Sequence, residues 1–253
     1  MKPFIERLVR DVFRACGFSI HRKGKPSTTM AEALDHISDL GFRPRTVIDV
    51  GVAYGTFELY ERFPKSKHLL IEPLREYERV LQRICGMYDG DYVLAVARDK
   101  PGIAVLNVHH VLAGSSVFKE TDGSQIDGTP RKVPAITVDS LCREKNLRGP
   151  YLIKADVQGA ELKVLDGVKE TFKDTEVIIL EVSLFQFYEG GPQFFDVVLY
   201  MKEHGFVVYD FFGGNNRPLD GALAQVDTVF VKENGKFRKQ HAFRWMVQRI
   251  VVE

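Results

Sequence analysis

The clearest chemistry in this sequence lies where an apolar run ends in an acid and two glycines follow. A β-branched run at residues 46–50 carries Asp49, and Gly51 and Gly55 come shortly after it. This pattern predicts a buried parallel strand, a tight turn and a helix whose N-terminus faces a ligand. Glycine there lets the backbone approach the ligand closely. The next apolar run ends in Glu72, an acid placed to accept hydrogen bonds from the ribose of a bound nucleoside.

The glycine spacing favours S-adenosylmethionine over a dinucleotide. A dinucleotide fingerprint needs glycines where this chain has Ala53 and Thr56. The carboxylate of Asp49 would repel a pyrophosphate, but it suits the ammonium-bearing methionine part of S-adenosylmethionine. The turn therefore predicts a nucleoside cofactor site for S-adenosylmethionine.

Two later apolar runs also end in acids, at Asp156 and Glu181. The carboxyl ends of parallel strands line one crevice, so Asp156 and Asp49 should open onto a single site. Methylation of a hydroxyl needs a base within hydrogen-bond reach. We expect Asp156 to be that base, with Glu181 as the second candidate and His110, beside His109, as the third.

Two polar segments could cover this edge of the sheet. Residues 110–132 are rich in glycine and serine, which predicts a lid or a substrate-binding insertion. Residues 213–218 form a second polar loop. Asp99, after a predicted strand, either accepts from the adenine amine or belongs to a turn. The predicted cofactor-binding residues are Asp49, Gly51, Ala53, Gly55, Glu72, Pro73, Asp99 and Asp156.

These residues require a doubly wound α/β fold with a mostly parallel sheet, an antiparallel edge strand and N-terminal helices. The predicted strands cover residues 46–50, 67–72, 91–97, 103–109, 132–138, 151–155, 176–181, 206–211 and 225–232. The predicted helices cover residues 3–16, 30–40, 73–85, 139–145 and 193–204. We expect an N-terminal helical extension over 1–45, a Rossmann-like domain over 46–232 and a basic amphipathic tail over 233–253.

Composition narrows the class of protein. The chain has 253 residues and a formal net charge of +1, so no overall field favours nucleic acid. Its three cysteines are widely spaced, which indicates free thiols in a reducing compartment. No apolar run approaches the roughly 18 residues of a membrane span. We expect a cytoplasmic protein without a stable membrane span, whose terminal amphipathic helices pack on the domain or form a homodimer contact.

Several motifs together resemble the FkbM-type methyltransferase family. They are Asp49-Val50-Gly51 with Gly55, Glu72-Pro73, Thr137-Val138-Asp139-Ser140-Leu141, and the run from Lys154 through Asp156-Val157-Gln158-Gly159-Ala160-Glu161. The resemblance implies a Rossmann-like domain that uses S-adenosylmethionine to methylate a hydroxyl on a sugar, polyketide or other small metabolite. It also implies that Gly51 and Gly55 border the methionine part, Glu72 the ribose, and Asp156 and Glu161 the active-site side.

Three alternatives remain open at this level. A divalent metal could be held by Asp156 and Glu181, with Asp210 or Asn215. A cofactor-binding module without turnover is favoured by Val52-Ala53, which replaces the usual Ala-Asn of the family. An NAD-dependent oxidoreductase is opposed by the glycine spacing.

Overall fold

The computed structural model describes residues 27–122 and 128–242. The predicted helix over 3–16 and the end of the predicted tail, 243–253, lie outside the described residues. No helix in these described ranges has the length and apolar composition that crossing a bilayer requires. The division into an extension, a domain and a tail stays a prediction.

The described chain contains six helices and ten strands. The helices are α1 (Met30–Asp39), α2 (Phe57–Arg62), α3 (Glu78–Met87), α4 (Val138–Glu144), α5 (Glu161–Leu165) and α6 (Phe194–Glu203). The strands are β1 (Thr46–Val50), β2 (Lys67–Ile71), β3 (Gly90–Val93), β4 (Val96–Ala97), β5 (Gly102–Val108), β6 (Thr129–Ile136), β7 (Tyr151–Ala155), β8 (Thr175–Ser183), β9 (Phe206–Asn216) and β10 (Leu223–Lys232). Short 3₁₀ turns lie at Arg75–Tyr77, Leu112–Gly114, Thr171–Asp174 and Lys236–Arg238.

Seven of the strands in the described chain form one sheet, in the order β3-β2-β1-β7-β8-β10-β9. The first five strands of this order are parallel, whereas β10 runs antiparallel to both β8 and β9. The predicted fold class is therefore confirmed, including its antiparallel edge. The parallel order brings the carboxyl ends of β1, β2, β7 and β8 to one edge of the sheet.

Helices cover both faces of this sheet, which explains why β1 and β7 are buried along their whole length. Successive residues of a strand point to opposite faces. On β1, Ile48 packs in the cluster that includes residues of α4, α5 and α6, while Val47 packs in the cluster that includes residues of α1, α2 and α3. All five residues of β1 are buried.

The predicted strand over 91–97 is wrong as a single element. The chain forms β3 in the large sheet and then β4 in a smaller sheet with β6 and β5. This smaller sheet has an apolar core of its own, which includes Val96, Leu106 and Val133. Burial of this separate apolar core stabilises the arrangement in which the chain crosses from one sheet to the other. Strand β5, close to the predicted strand over 103–109, pairs antiparallel with β6.

Two boundaries also differ from prediction. The helix expected from Pro73 starts later, because Leu74 is extended and only Glu78 opens α3. The polar run after Phe212 was predicted as a loop, but β9 continues through it to Asn216. Gly213 and Gly214 have positive φ values of 62° and 112°, and the pairing with β10 shifts register nearby. Glycine accommodates such irregularities without ending the strand pair.

Candidate functional site

The glycine turn brings the ends of β1 and β7 into contact. Gly51 has a φ of 77°, and a Cβ added to it would lie 1.8 Å from the carbonyl oxygen of Asp156. The Gly51 amide donates to Ile71 O at 2.9 Å, and the Asp156 amide donates to Val50 O at 3.1 Å. Only glycine permits this approach, so Asp156 and the glycine turn share one edge as the strand pattern predicted.

A cavity of about 150 Å³ opens at this edge. Five of the residues predicted to bind the cofactor or the acceptor line it: Gly51, Ala53, Glu72, Pro73 and Asp156. Its apolar wall includes Leu74, Tyr77 and Val96. The described part of the 110–132 segment contributes Leu112, Ala113, Ser115 and Val117. The cavity therefore combines carboxylates at one side with an apolar wall that suits a flat ring.

Glu72 is held rigidly at the cavity although only 4% of its surface is exposed. Its two carboxylate oxygens accept from the backbone amides of Ala53 at 3.0 Å and Leu74 at 2.9 Å. Burial raises the pKa of Glu72, and these two amides act in the opposite direction. Because each oxygen can accept more than one hydrogen bond, Glu72 keeps acceptor capacity for ribose hydroxyls.

Asp49 lies beneath the cavity and does not line it. It is fully buried, accepts a hydrogen bond from the Tyr60 hydroxyl, and lies 3.6 Å from the ammonium of Lys154. The Tyr60 hydroxyl in turn accepts from the Thr56 amide at 3.2 Å. Asp49 thus connects the end of β1 to the first turn of α2, and it acts on the cavity by shaping the glycine turn.

The edge of the sheet around Asp156 is rich in carboxyl groups. Asp156 keeps 33% of its side chain exposed and lies 3.5 Å from the Lys154 ammonium. Burial, together with Asp156, Glu161 and Asp227, raises the pKa of Glu181 to about 8. Burial and Asp156 raise the pKa of Asp227 to about 6. Burial alone would lower the pKa of Lys154, but Asp156, Asp49 and Asp227 raise it above its ordinary value.

Glu161 supports the loop after β7 from inside. Burial raises its pKa to about 7, although its carboxylate accepts from the amides of Val157 at 3.0 Å and Gly159 at 3.2 Å. It is 3% exposed and is absent from the cavity wall. Glu161 therefore shapes the Asp156 loop.

Four further predicted site residues, besides Asp49, do not reach the cavity. His110 is exposed and its ring lies 4.0 Å from that of His109. Asp99 accepts from the Arg98 guanidinium at 3.0 Å. Gly55 packs near Phe57 and has a φ of 96°. Glu181 is held by Gln158 and Gln225 and is absent from the cavity wall.

Sequence reasoning missed four polar residues around the carboxyl groups of Asp156 and Glu181. They are Gln158, Tyr188, Gln225 and Asp227. For one of them, Asp227, the sequence held a signal, because this acid interrupts an otherwise mostly apolar strand. Its partner could not be read from that pattern. Among the described residues, no three His, Cys, Asp or Glu side chains are arranged to hold a metal ion. Asp210, named for the metal alternative, accepts from the Ser27 hydroxyl at 2.6 Å.

Comparison with known proteins identifies the family. The methyltransferase FkbM domain matches residues 49–208, which is more than half of the chain. This chain belongs to the FkbM methyltransferase family. The chain therefore carries a methyltransferase domain of a family that uses S-adenosylmethionine, and the predictions of family and cofactor are confirmed.

One curated relative of this FkbM methyltransferase is the 2-O-methyltransferase NoeI from Sinorhizobium fredii (strain NBRC 101917 / NGR234). The two are 42% identical over 66 residues. The match spans 26% of this chain and 27% of NoeI, so it covers about a quarter of each protein.

Solved structures of other methyltransferases resemble the FkbM chain weakly. N-methyltransferase NodS from Bradyrhizobium japonicum gives a TM-score of 0.45 at 7% identity, covering 80% of this chain and 93% of NodS. Magnesium protoporphyrin IX methyltransferase from Synechocystis gives 0.43 at 12% identity, covering 89% and 96%. An rRNA methylase from Streptococcus thermophilus gives 0.45 at 10% identity, covering 84% and 99%.

The residues present at the cavity fit S-adenosylmethionine. Glu72 offers acceptors for ribose hydroxyls, and Leu74, Tyr77 and Val96 offer an apolar surface for the purine. The partly exposed carboxylate of Asp156 offers negative charge toward the cationic end of the cofactor. Ala53 contributes only a methyl side chain, as its place in the sequence indicated.

Proposed function

We propose that this methyltransferase methylates a hydroxyl group on a sugar, polyketide or other small hydroxylated metabolite. The observation that carries the proposal is the carboxylate of Asp156, which borders the cofactor cavity and is held there from two sides. When bound, S-adenosylmethionine supplies an electrophilic methyl group. A hydroxyl that attacks it must lose a proton, and a carboxylate at this edge can accept that proton.

Asp156 suits the role of base better than Glu181 does. With a pKa raised to about 8, Glu181 retains its proton over most of the neutral range. The ammonium of Lys154, 3.5 Å away, stabilises negative charge on Asp156 instead. We assign Asp156 to accept the proton of the acceptor hydroxyl and Glu181 to donate a hydrogen bond that orients the acceptor. His110 is the least supported candidate, because it is exposed and its ring lies against that of His109.

The partial match to a 2-O-methyltransferase supports oxygen as the methylated atom. The near-neutral composition supports a small acceptor rather than a nucleic acid. A cytoplasmic location and a homodimer formed through terminal helices stay predictions.

A methyl-transfer assay tests the proposal. The protein is incubated with S-adenosylmethionine and matched acceptors that differ in one group, such as a sugar and the corresponding amino sugar. We expect S-adenosylhomocysteine and an O-methyl product that mass spectrometry locates on a hydroxyl. Transfer to nitrogen alone would contradict the proposal. Cofactor binding without turnover on any acceptor would favour the non-catalytic binding module, and loss of activity in EDTA would favour the metal-dependent alternative.

A further inference from the structure

The side-chain amide of Gln158 forms hydrogen bonds with the carboxyl groups of both Asp156 and Glu181. Its Nε2 donates to Asp156 Oδ1 at 3.0 Å and to Glu181 Oε2 at 3.2 Å. Its Oε1 accepts from the Tyr188 hydroxyl at 3.0 Å. The opposite amide orientation would place the amide oxygen against the carboxyl groups of Asp156 and Glu181. The orientation in which nitrogen faces them is therefore favoured.

The backbone of this loop is shaped to present the Gln158 amide. Gln158 has a φ of 57° and Gly159 a φ of 89°, so two successive residues lie in the left-handed region. A positive φ strains the backbone at Gln158, which is not a glycine. Such strain persists only where the surroundings enforce it, and it is common at functional sites. The Ser116 hydroxyl donates to Gln158 O at 2.7 Å, and the Glu161 carboxylate accepts from the amides on either side of Gln158.

Tyr188 fixes the far end of the same amide. Its ring lies against Gly159, where an added Cβ would come within 2.5 Å of it, and the residue is 7% exposed. Its backbone forms a β-bridge with Glu120, and the neighbouring Thr121 amide donates to Phe187 O at 2.9 Å. Burial raises the pKa of Tyr188, so its hydroxyl stays a donor throughout the physiological range.

Charged and titratable groups surround the two carboxyls from every neighbouring element. They are Asp49 on β1, Lys154 on β7, Glu161 on α5, Asp227 on β10 and Glu120 beside Tyr188. Gln225 donates a further hydrogen bond to Glu181 at 2.9 Å. Asp156 has no other amide donor of this kind among the described side chains. The Gln158 amide is thus the group that both carboxyls share.

We propose that Gln158 is a positioning residue for methyl transfer, held in place by Tyr188, which keeps Asp156 and Glu181 at a set separation at the edge of the sheet. This inference rests on the proposed function for its catalytic meaning. The amide stabilises the ionised form of Glu181, because a donor hydrogen bond favours the charged state. Removing it releases the two side chains and raises the affinity of Glu181 for protons.

Two variants test the proposal and one serves as a control. Gln158→Met keeps the length of the side chain and removes its hydrogen bonds. Tyr188→Phe removes one hydroxyl and leaves the ring on Gly159. Tyr200→Phe is the matched control, because Tyr200 donates at 3.0 Å to Asp166, which does not face the carboxyl pair.

The first measurement needs no acceptor. The side-chain carboxyl carbon of Glu181 is titrated by NMR in the full-length protein. In Gln158→Met its midpoint should rise by on the order of one pH unit, and in Tyr188→Phe by less. Tyr200→Phe should titrate as wild type does.

The second measurement uses turnover. In Gln158→Met, kcat should fall by on the order of 10- to 100-fold, the acidic limb of its pH profile should move to higher pH, and the Kd for S-adenosylhomocysteine should stay unchanged. Wild-type midpoints and kcat in both test variants would overturn the proposal, as would an equal shift in Tyr200→Phe. Shifted midpoints in a protein that methylates no hydroxyl would instead refute the proposed function and leave the hydrogen-bond assignment standing.

Discussion

Asp227 on β10 lies directly opposite Glu181 on β8, so two carboxyl groups project side by side from one face of the sheet. Burial and neighbouring carboxylates raise the pKa of Glu181 to about 8 and that of Asp227 to about 6. If Glu181 and Asp227 were both ionised, their negative charges would repel each other strongly. At neutral pH the pair therefore holds a proton.

This pair predicts how stability depends on pH. The ordinary pKa values are 4.5 for Glu and 3.8 for Asp, so from about pH 4 to about pH 8 the folded protein binds protons that the unfolded chain has released. Their contribution to the free energy of unfolding is complete below this window and is lost as pH rises through it. Glu161, with a pKa raised to about 7, acts in the same direction.

Glu181→Gln should therefore raise Tm at pH 8 by on the order of a few degrees relative to wild type, and the difference should vanish near pH 5. Calorimetry at several pH values measures this. Glu203→Gln, at an exposed carboxylate on α6, is the control and should show no such pH dependence. A Glu181→Gln protein less stable than wild type at pH 8 would contradict the raised pKa.

Asp156→Asn should reduce turnover by roughly 10²–10⁴-fold, because the amide keeps the shape of the side chain but cannot accept a proton. The Kd for S-adenosylmethionine should change much less, since Glu72 and the glycine turn keep their contacts. Steady-state kinetics and calorimetric titration on the same variant separate the two roles. Collapse of binding with a normal rate at saturating cofactor would make Asp156 a cofactor ligand only. Glu181→Gln, which resembles the protonated acid, should lose less activity at pH 7.

Glu72→Gln should weaken binding of S-adenosylhomocysteine by about 10- to 100-fold, or ~1.5–3 kcal/mol. The substitution places an amide donor where a carboxylate oxygen accepts from Ala53 or Leu74, and it removes the charge from the cavity. Isothermal titration calorimetry gives the Kd. Glu76→Gln is the control, because Glu76 lies at the surface and pairs with Arg131 at 2.8 Å. Equal affinities for wild type and Glu72→Gln would exclude Glu72 from the cofactor site.

Gly51→Ala should destabilise the protein far more than Gly41→Ala. Both glycines have a similar φ, 77° and 82°, so both variants incur the same kind of backbone strain. A Cβ at residue 41 meets nothing within 4 Å, whereas one at residue 51 meets Asp156 O at 1.8 Å. The difference in the free energy of unfolding should be at least ~1–3 kcal/mol, the cost of overpacking. Denaturant unfolding measures it, and equal effects would mean that the two strand ends separate easily.

The cofactor half of the site could be predicted because its signals are local. An apolar run, a glycine turn and a second apolar run that ends in an acid lie within residues 46–72, and their order along the chain already implies a parallel pair. Gly51, Ala53, Glu72 and Pro73 accordingly line the cavity. The family motifs are equally local, and the match over residues 49–208 confirms them.

Placement of side chains beyond this turn needed the tertiary structure. Asp49 belongs to the motif, yet it is buried against Tyr60 and Lys154, because strand alternation turns it away from the cavity. The sequence allows Asp99 to be either an adenine contact or a turn residue; in the structure it accepts from the Arg98 guanidinium and is absent from the cavity wall. In both cases the residue type indicated an acid near the site, but the sequence did not show the direction in which its side chain points.

By itself, the sequence determined the fold class, the cofactor turn and the family, since each follows from residues close together along the chain. The tertiary structure alone decided that Asp227 faces Glu181 and that Tyr188 holds the amide of Gln158. These contacts depend on the register of antiparallel strands and on the path of a distant loop. A shift of one residue in that register would turn Asp227 to the other face of the sheet, and no local pattern encodes the choice.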